Sequence, residues 1–356
     1  MIRIGDLKFN EEHKAVIDDI MDSGRITEGK YVKLFEREVE QFLDVKHCIA
    51  VSNGTVALEL VSRYLGQNGV VCVPALTFPA TLNAFLVTGQ SCGLCDVGED
   101  LQIDVDTMTE ADKEKIDVIV PVHLMGYTAD MDKIMAMAEK YDWVVVEDTA
   151  EAFGAEYKCK KAGTFGHFGT FSFYVSHNIW GGELGCVVTD DDEAAEVLRS
   201  MKNHGRAGDP MKFQHKYIGA NYKTTEFCAG LAYVNLKHAD EILPKRKSIS
   251  DKYFRGIKNP KLTPFPSPNG FSPLGYPILA ESEEYRDKMC ERLNKAGIET
   301  RGMFPSLANQ QAYKGLWKSE EYPVAEELEK RAFYIGSHQY IEDEDIELIL
   351  EMLNYE

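Results

Sequence analysis

Short apolar runs alternate with helical spacing through the first half of the chain, and this alternation constrains the fold more than any other feature. Cys48–Val51, Val70–Pro74, Ser91–Asp96, Val118–Val122 and Trp143–Val146 are brief runs with little polar alternation, as expected of strands covered on both faces. Helical spacing marks residues 10–23, ending at Ser23-Gly24, then Tyr31–Phe42, Val56–Leu65 and Met131–Lys140. Strands joined through helices run parallel. The pattern therefore predicts an α/β fold with a mostly parallel sheet flanked by helices. Two further apolar runs, Thr170–Tyr174 and Cys186–Thr189, flank a Gly-rich turn.

Residues 226–256 read as helix, and the proline-rich stretch 257–272 reads as a boundary or hinge. Beyond it, Tyr276–Leu279, a helix from Ser282 to Lys295, Gly297–Arg301 and a final helix over Asp343–Leu353 predict a smaller α/β unit. We expect a large domain over residues 1–240 and a small C-terminal domain over 241–356.

The chain has 356 residues, with 39 basic against 58 acidic side chains and a net charge of −19. That balance argues against a nucleic-acid or membrane-surface role, because both partners need a basic face. It leaves room for a small anion held by a few local donors. The longest apolar runs are too short for a membrane span, and the N-terminus lacks a signal layout, so a cytoplasmic location is expected. Eight cysteines are present, mostly inside apolar runs, and they read as buried thiols. Cys92 and Cys95 are the one close pair, and no second pair completes a metal set; no metal is expected.

Three stretches carry chemistry. Ser52-Asn53-Gly54-Thr55 joins a strand to a helix, where unpaired N–H groups and the helix dipole favour a phosphate. The same residues also make an ordinary N-cap. Glu147 and Asp148 end an apolar strand, where ligands gather in parallel sheets. A carboxylate there suits a metal, acid–base work or a cofactor nitrogen. His177 stands at the head of the Gly-rich turn between Tyr174 and Cys186.

Together these stretches resemble the DegT/DnrJ/EryC1/StrS family of sugar aminotransferases, which are fold-type I pyridoxal-phosphate enzymes. The resemblance rests on Ser52–Leu58, on Thr77-Phe78-Pro79-Ala80, on Glu147–Ala155, on Phe171-Ser172-Phe173 with Gly182-Glu183, and on Gly219–Glu226. It spans roughly residues 25–230. It implies pyridoxal 5′-phosphate or pyridoxamine 5′-phosphate as cofactor. It assigns Gly54 and Thr55 to the phosphate, Phe78 to stacking on the ring, Asp148 to the ring nitrogen, Glu151 to the neighbourhood of the ring oxygen and Ser172 to the cofactor site. Asn221 reaches the phosphate of the other subunit in the family, which implies a homodimer. The family acts in deoxysugar biosynthesis, including that of the lipopolysaccharide O-antigen, with L-glutamate as the usual amino donor.

One position departs. His177 occupies the place of the lysine that links covalently to the cofactor. An imidazole cannot form that imine, yet it moves protons near neutral pH. Ser176-His177, together with Gly336-Ser-His-Gln339, resembles the GDP-4-keto-6-deoxymannose 3-dehydratase branch, which has Gly-Asn-His-Gln at the second place. That branch removes the C3 hydroxyl of a nucleotide-linked 4-keto-6-deoxyhexose, and His177 becomes the acid–base. Resemblance to the perosamine synthases, as in Val51–Leu58, favours a GDP-linked substrate. The competing readings are a catalytically inactive or regulatory homologue, and an aminotransferase with a lysine from elsewhere. A related branch holds a [2Fe–2S] cluster, which needs four thiolates. After His177 only Cys186, Cys228 and Cys290 remain, all far apart. Leu184, in place of a usual glycine, and His167, in place of a usual Asp, are expected to reshape the sugar pocket. The roles of His204, Arg301 and His338 stay open.

Overall fold

The computed structural model describes residues 1–67, 69–208 and 210–355. Five strands come first: β1 (His47–Val51), β2 (Val70–Pro74), β3 (Ser91–Cys95), β4 (Ile116–Ile119) and β5 (Val144–Asp148). A short hairpin, β6 (Glu156–Tyr157) and β7 (Lys160–Lys161), precedes β8 (Phe168–Ser172) and β9 (Gly185–Thr189). The main sheet has seven strands in the order β1-β9-β8-β5-β4-β2-β3. β2, β3, β4, β5 and β8 pair in parallel, as the alternation predicts. β9 runs antiparallel to both of its neighbours. It follows β8 without a crossover helix, so the chain returns as a hairpin and Ser172 pairs with Gly185. The loop of that hairpin carries His177.

Twelve helices are found among the described residues: α1 (Glu11–Ser23), α2 (Lys30–Leu43), α3 (Gly54–Leu65), α4 (Pro79–Leu86), α5 (Glu110–Lys113), α6 (Met131–Tyr141), α7 (Asp192–Met201), α8 (Glu226–Lys237), α9 (Ala239–Gly256), α10 (Glu283–Lys295), α11 (Pro323–Arg331) and α12 (Asp343–Asn354). None is long and apolar enough to cross a membrane. They cover both faces of the main sheet. Ile49 and Val51 of β1 pack with α3, α4 and α7, whereas Cys48 and Ala50 pack with α2 and α8. The period of two sends alternate residues to opposite cores, which is why these strands read as unbroken apolar runs.

A second, antiparallel sheet has the order β10-β11-β13-β12, from β10 (Leu262–Pro264), β11 (Gly275–Ala280), β12 (Thr300–Gly302) and β13 (Ala332–Gly336). The N-terminus ties onto this part: Ile2 donates to the Gly297 carbonyl at 2.8 Å, and Glu299 donates to the Ile2 carbonyl at 2.8 Å. An apolar seam of Ala75, Leu76, Val122, Leu124, Phe265, Leu274 and Tyr334 joins the two sheets.

Several expectations need correction. The helix over 226–256 breaks at His238, where α8 ends and α9 begins. The fourth strand is regular over Ile116–Ile119, and the chain keeps its parallel course to Val122, which bridges to Asp148. The 257–272 stretch holds β10, an edge strand that tolerates Pro264.

Candidate active site

The carboxyl ends of β5 and β8, the start of α3 and the seam between the sheets enclose a cleft of about 730 Å³. Gly54, Thr55, Phe78, Asp148, Glu151, Ser172 and His177 all line it.

At the start of α3, Asn53 caps the helix, its Oδ1 accepting from the Val56 N–H at 2.9 Å. Among the described residues, the Gly54 and Thr55 N–H groups have no protein acceptor, so both remain for a ligand. A Cβ on Gly54 would meet Ser172 Cβ at 2.8 Å, so a larger residue would push the helix start off β8. The capping and anion-site readings of this turn are therefore compatible: Asn53 does the first and leaves the second free.

The two carboxylates of β5 face opposite ways. Glu147 is fully buried and accepts from Gly163, Phe165 and Gly166 N–H at 2.7, 2.6 and 2.7 Å, with His123 Nε2 at 2.9 Å. It holds the 163–166 loop. Asp148 points into the cleft. Its Oδ2 accepts from Thr81 Oγ1 at 2.8 Å and its Oδ1 from the Ala150 N–H at 3.2 Å. Burial pushes the Asp148 carboxyl up, against the pull of those two hydrogen bonds and of His123. Among the described residues Arg301 is the one Lys or Arg that lines the cleft, and it pairs with Glu299 rather than Asp148, so a cationic ring N–H would supply the missing partner.

Glu151 Oε2 accepts from the Met125 N–H at 2.9 Å. Burial pushes this carboxyl up to about 7; the Met125 bond opposes the shift and Asp148 adds to it. Phe78 leaves 56% of its surface exposed, with its edge toward Phe304 at 5.7 Å. An exposed aromatic face in a cleft suits stacking.

His177 is half-buried. Its Nδ1 lies 3.1 Å from the Ser172 carbonyl oxygen. A carbonyl only accepts, so Nδ1 carries the proton and Nε2 is the bare lone pair. Burial pulls the imidazole down to about 4; the Ser172 bond resists this and the Arg246 charge assists it.

Asn221 lies outside the cleft. It is exposed and bridges to Asn203, next to exposed His204. Leu184 is fully buried at the cleft wall. His167 is a correction: it sits at the opposite end of β8, where its Nδ1 accepts from the Val145 N–H at 3.0 Å, and it lines a separate cavity. It does not reach the sugar pocket. Sequence reasoning missed Thr81, Phe304 and Tyr334 and left the role of Arg301 open. Thr77 and Thr81 do carry a local signal, four residues apart around a helix start, and their hydroxyls meet at 2.9 Å. The other three come from the second sheet and its flanks, and only packing brings them here.

A helix start open to phosphate, a buried carboxylate without a cationic partner at the end of β5 and an exposed ring in the same cleft fit pyridoxal phosphate, and a mostly parallel sheet with a smaller C-terminal sheet is the scaffold of fold-type I pyridoxal-phosphate enzymes. The chain belongs to the DegT/DnrJ/EryC1/StrS aminotransferase family, whose model matches residues 8–354. It is 32% identical to GDP-perosamine synthase of Escherichia coli O157:H7 over 348 residues, covering 96% of this chain and 95% of that protein. Among solved structures it is similar to Spr1654 of Streptococcus pneumoniae in its pyridoxamine-phosphate form, with a TM-score of 0.94 and 27% identity over 99% of this chain and 96% of that one. GDP-4-keto-6-deoxy-D-mannose 3-dehydratase of E. coli with bound hydrated pyridoxal phosphate shares the fold, with a TM-score of 0.89, 24% identity and coverage of 99% of each chain. The cofactor is pyridoxal phosphate or its amine form, and the enzyme class is that of the pyridoxal-phosphate sugar aminotransferases.

Proposed function

We propose that the chain is a 3-dehydratase of a nucleotide-linked 4-keto-6-deoxyhexose, with His177 as its acid–base. The observation that carries this reading is that His177 faces a cleft without a lysine among its lining residues. Covalent anchoring has no amine to use there, whereas proton transfer has a bare Nε2.

In this reading the Gly54 and Thr55 N–H groups hold the phosphate. Asp148, steadied by Thr81, holds the ring nitrogen in its protonated form. Phe78 covers one ring face, and Glu151 sits beside the ring oxygen. Pyridoxamine phosphate supplies an amine for the C4 ketone and a conjugated ring that accepts electrons. His177 Nε2, bare and lining the cleft, would hold the proton that the reaction moves. It returns that proton to the C3 hydroxyl, which leaves as water. A depressed imidazole is a weak base but a strong acid once charged, so the return step is favoured. The products would be ammonia and the 3-deoxy-4-keto sugar, with L-glutamate as the amino donor.

The likeness to GDP-perosamine synthase supports a GDP-linked substrate. We further propose a homodimer. Asn221 sits exposed on a segment whose Phe213 and Ile218 also expose apolar surface, as a subunit contact would use. We read residues 1–240 and 241–356 as two domains, each containing one of the two larger sheets.

The test is incubation with GDP-4-keto-6-deoxymannose, pyridoxal phosphate and glutamate. Ammonia with a 3-deoxy sugar supports the proposal. A 4-amino sugar as main product makes the chain an aminotransferase. No turnover with this or other nucleotide-linked keto-sugars favours an inactive or regulatory homologue.

A further inference from the structure

Arg246 of α9 is 2% exposed, and among the described residues no carboxylate lies within ion-pair distance of it. Its partners are neutral. Nε donates to the Pro273 carbonyl at 2.9 Å, Nη2 to the Leu274 carbonyl at 2.7 Å and Nη1 to Gln339 Oε1 at 3.1 Å. Burial pulls the guanidinium down to about 9, which still leaves it charged at neutral pH. A buried cation without a counter-ion costs several kcal/mol, on the order of the whole margin that holds many domains folded. Three hydrogen bonds to one short strap offset part of that cost.

The strap leads to the active site. Leu274 lines the cleft. Ser272, two residues back, receives Asn178 Nδ2 on both its carbonyl oxygen and its Oγ at 2.8 Å, and its own hydroxyl donates to the Phe153 carbonyl at 2.6 Å. Asn178 is the residue after His177. A continuous run of contacts therefore goes from Arg246 through Ser272–Leu274 and Asn178 to His177. Arg246 also lies near His338, whose Nε2 is buried without a partner and whose Nδ1 accepts from the Tyr340 N–H at 3.2 Å. One permanent cation thus sits among two imidazoles, and neither imidazole has a carboxylate partner.

We propose that Arg246 is a positioning residue for His177: it clamps the 272–274 strap that anchors Asn178 and sets a cation without a counter-ion on that strap. This inference rests on reading His177 as the group that moves the proton. The other charged or titratable groups toward His177 are Tyr174 on its own loop, Asp148 at the end of β5, Glu151 beyond it, Glu183 on the turn, and Arg301 and Tyr334 from the second sheet.

The test reads the His177 ring itself. Full-length protein is labelled with ¹⁵N-histidine, with and without added pyridoxal phosphate, and His177 is assigned by the signal lost in His177→Gln. Its titration midpoint is compared in wild type, Arg246→Met, Arg246→Lys and Gln339→Glu. The last variant gives the guanidinium a counter-ion without removing it, so it remains informative where Arg246→Met does not fold. The midpoint is expected to rise by about one pH unit in Arg246→Met and Gln339→Glu and to stay near wild type in Arg246→Lys. An unchanged midpoint in the folded neutralising variants overturns the proposal. A shifted midpoint with an unshifted acid limb of kcat/KM leaves the coupling standing and overturns instead the reading of His177 as the proton carrier.

Discussion

His177 Nδ1 and the Ser172 carbonyl oxygen stand 3.1 Å apart, and this contact fixes which ring nitrogen faces the cleft. The residue in the place of the lysine is therefore a neutral base with a defined tautomer. Because the imidazole is pulled from its ordinary 6.5 to about 4, the acid limb of kcat/KM should lie near pH 4 rather than near 6.5. A pH–rate profile checks this; a limb near 6.5 removes burial from the account.

The same shift bears on stability. His177 and His338 are both held at about 4 in the folded chain, against 6.5 when exposed. Between those values the unfolded chain binds protons that the folded chain does not. Stability is therefore lost as pH falls from about 6.5 toward 4. Urea midpoints should drop across that window, and less steeply in His338→Gln.

Thr81→Val removes the hydroxyl that steadies Asp148 and leaves a buried carboxylate oxygen without its donor. Cofactor affinity should weaken roughly tenfold, the effect of ~1–2 kcal/mol. Asp148→Asn should cost more, since it removes the carboxylate proposed to hold the ring nitrogen. Equilibrium titration followed by absorbance reads both.

Gly54→Ala sets a methyl 2.8 Å from Ser172 Cβ. The start of α3 must move, and the Gly54 and Thr55 N–H groups move with it. Retention of the cofactor after desalting should fall while far-ultraviolet circular dichroism stays native. Unchanged retention places the phosphate elsewhere.

Glu226 tests the frame rather than the chemistry. Its buried carboxylate accepts from Gly29, Tyr31 and Val32 N–H at 2.8, 2.8 and 3.0 Å and so caps α2, which has no side-chain cap of its own. Glu226→Ala should cost about 3 kcal/mol or more by leaving those donors unpaired. Denaturant unfolding measures it.

Much of this was legible in the sequence because its signals are local. The parallel strands show as apolar runs, and the α3 start shows as four consecutive residues. Asp148 shows as the last residue of a strand, and strand alternation alone separates it from Glu147. His177 stands out only against the family pattern, since a histidine in a polar turn is unremarkable by spacing. What was not legible depends on contacts across the chain. β9 reverses because no helix follows β8. Arg301, Phe304 and Tyr334 reach the cleft only after the second sheet docks, and the Arg246 strap joins residues far apart in sequence. His167 was misjudged because it precedes β8, at the end of that strand opposite Ser172.

Borohydride reduction of the cofactor-loaded protein, followed by peptide mass spectrometry, tests the central claim most directly. The account predicts that the phosphopyridoxyl group leaves with the small molecules and that every lysine peptide keeps its unmodified mass. A reduced phosphopyridoxyl adduct on any lysine would contradict it, because an amine would then be doing the work assigned to His177.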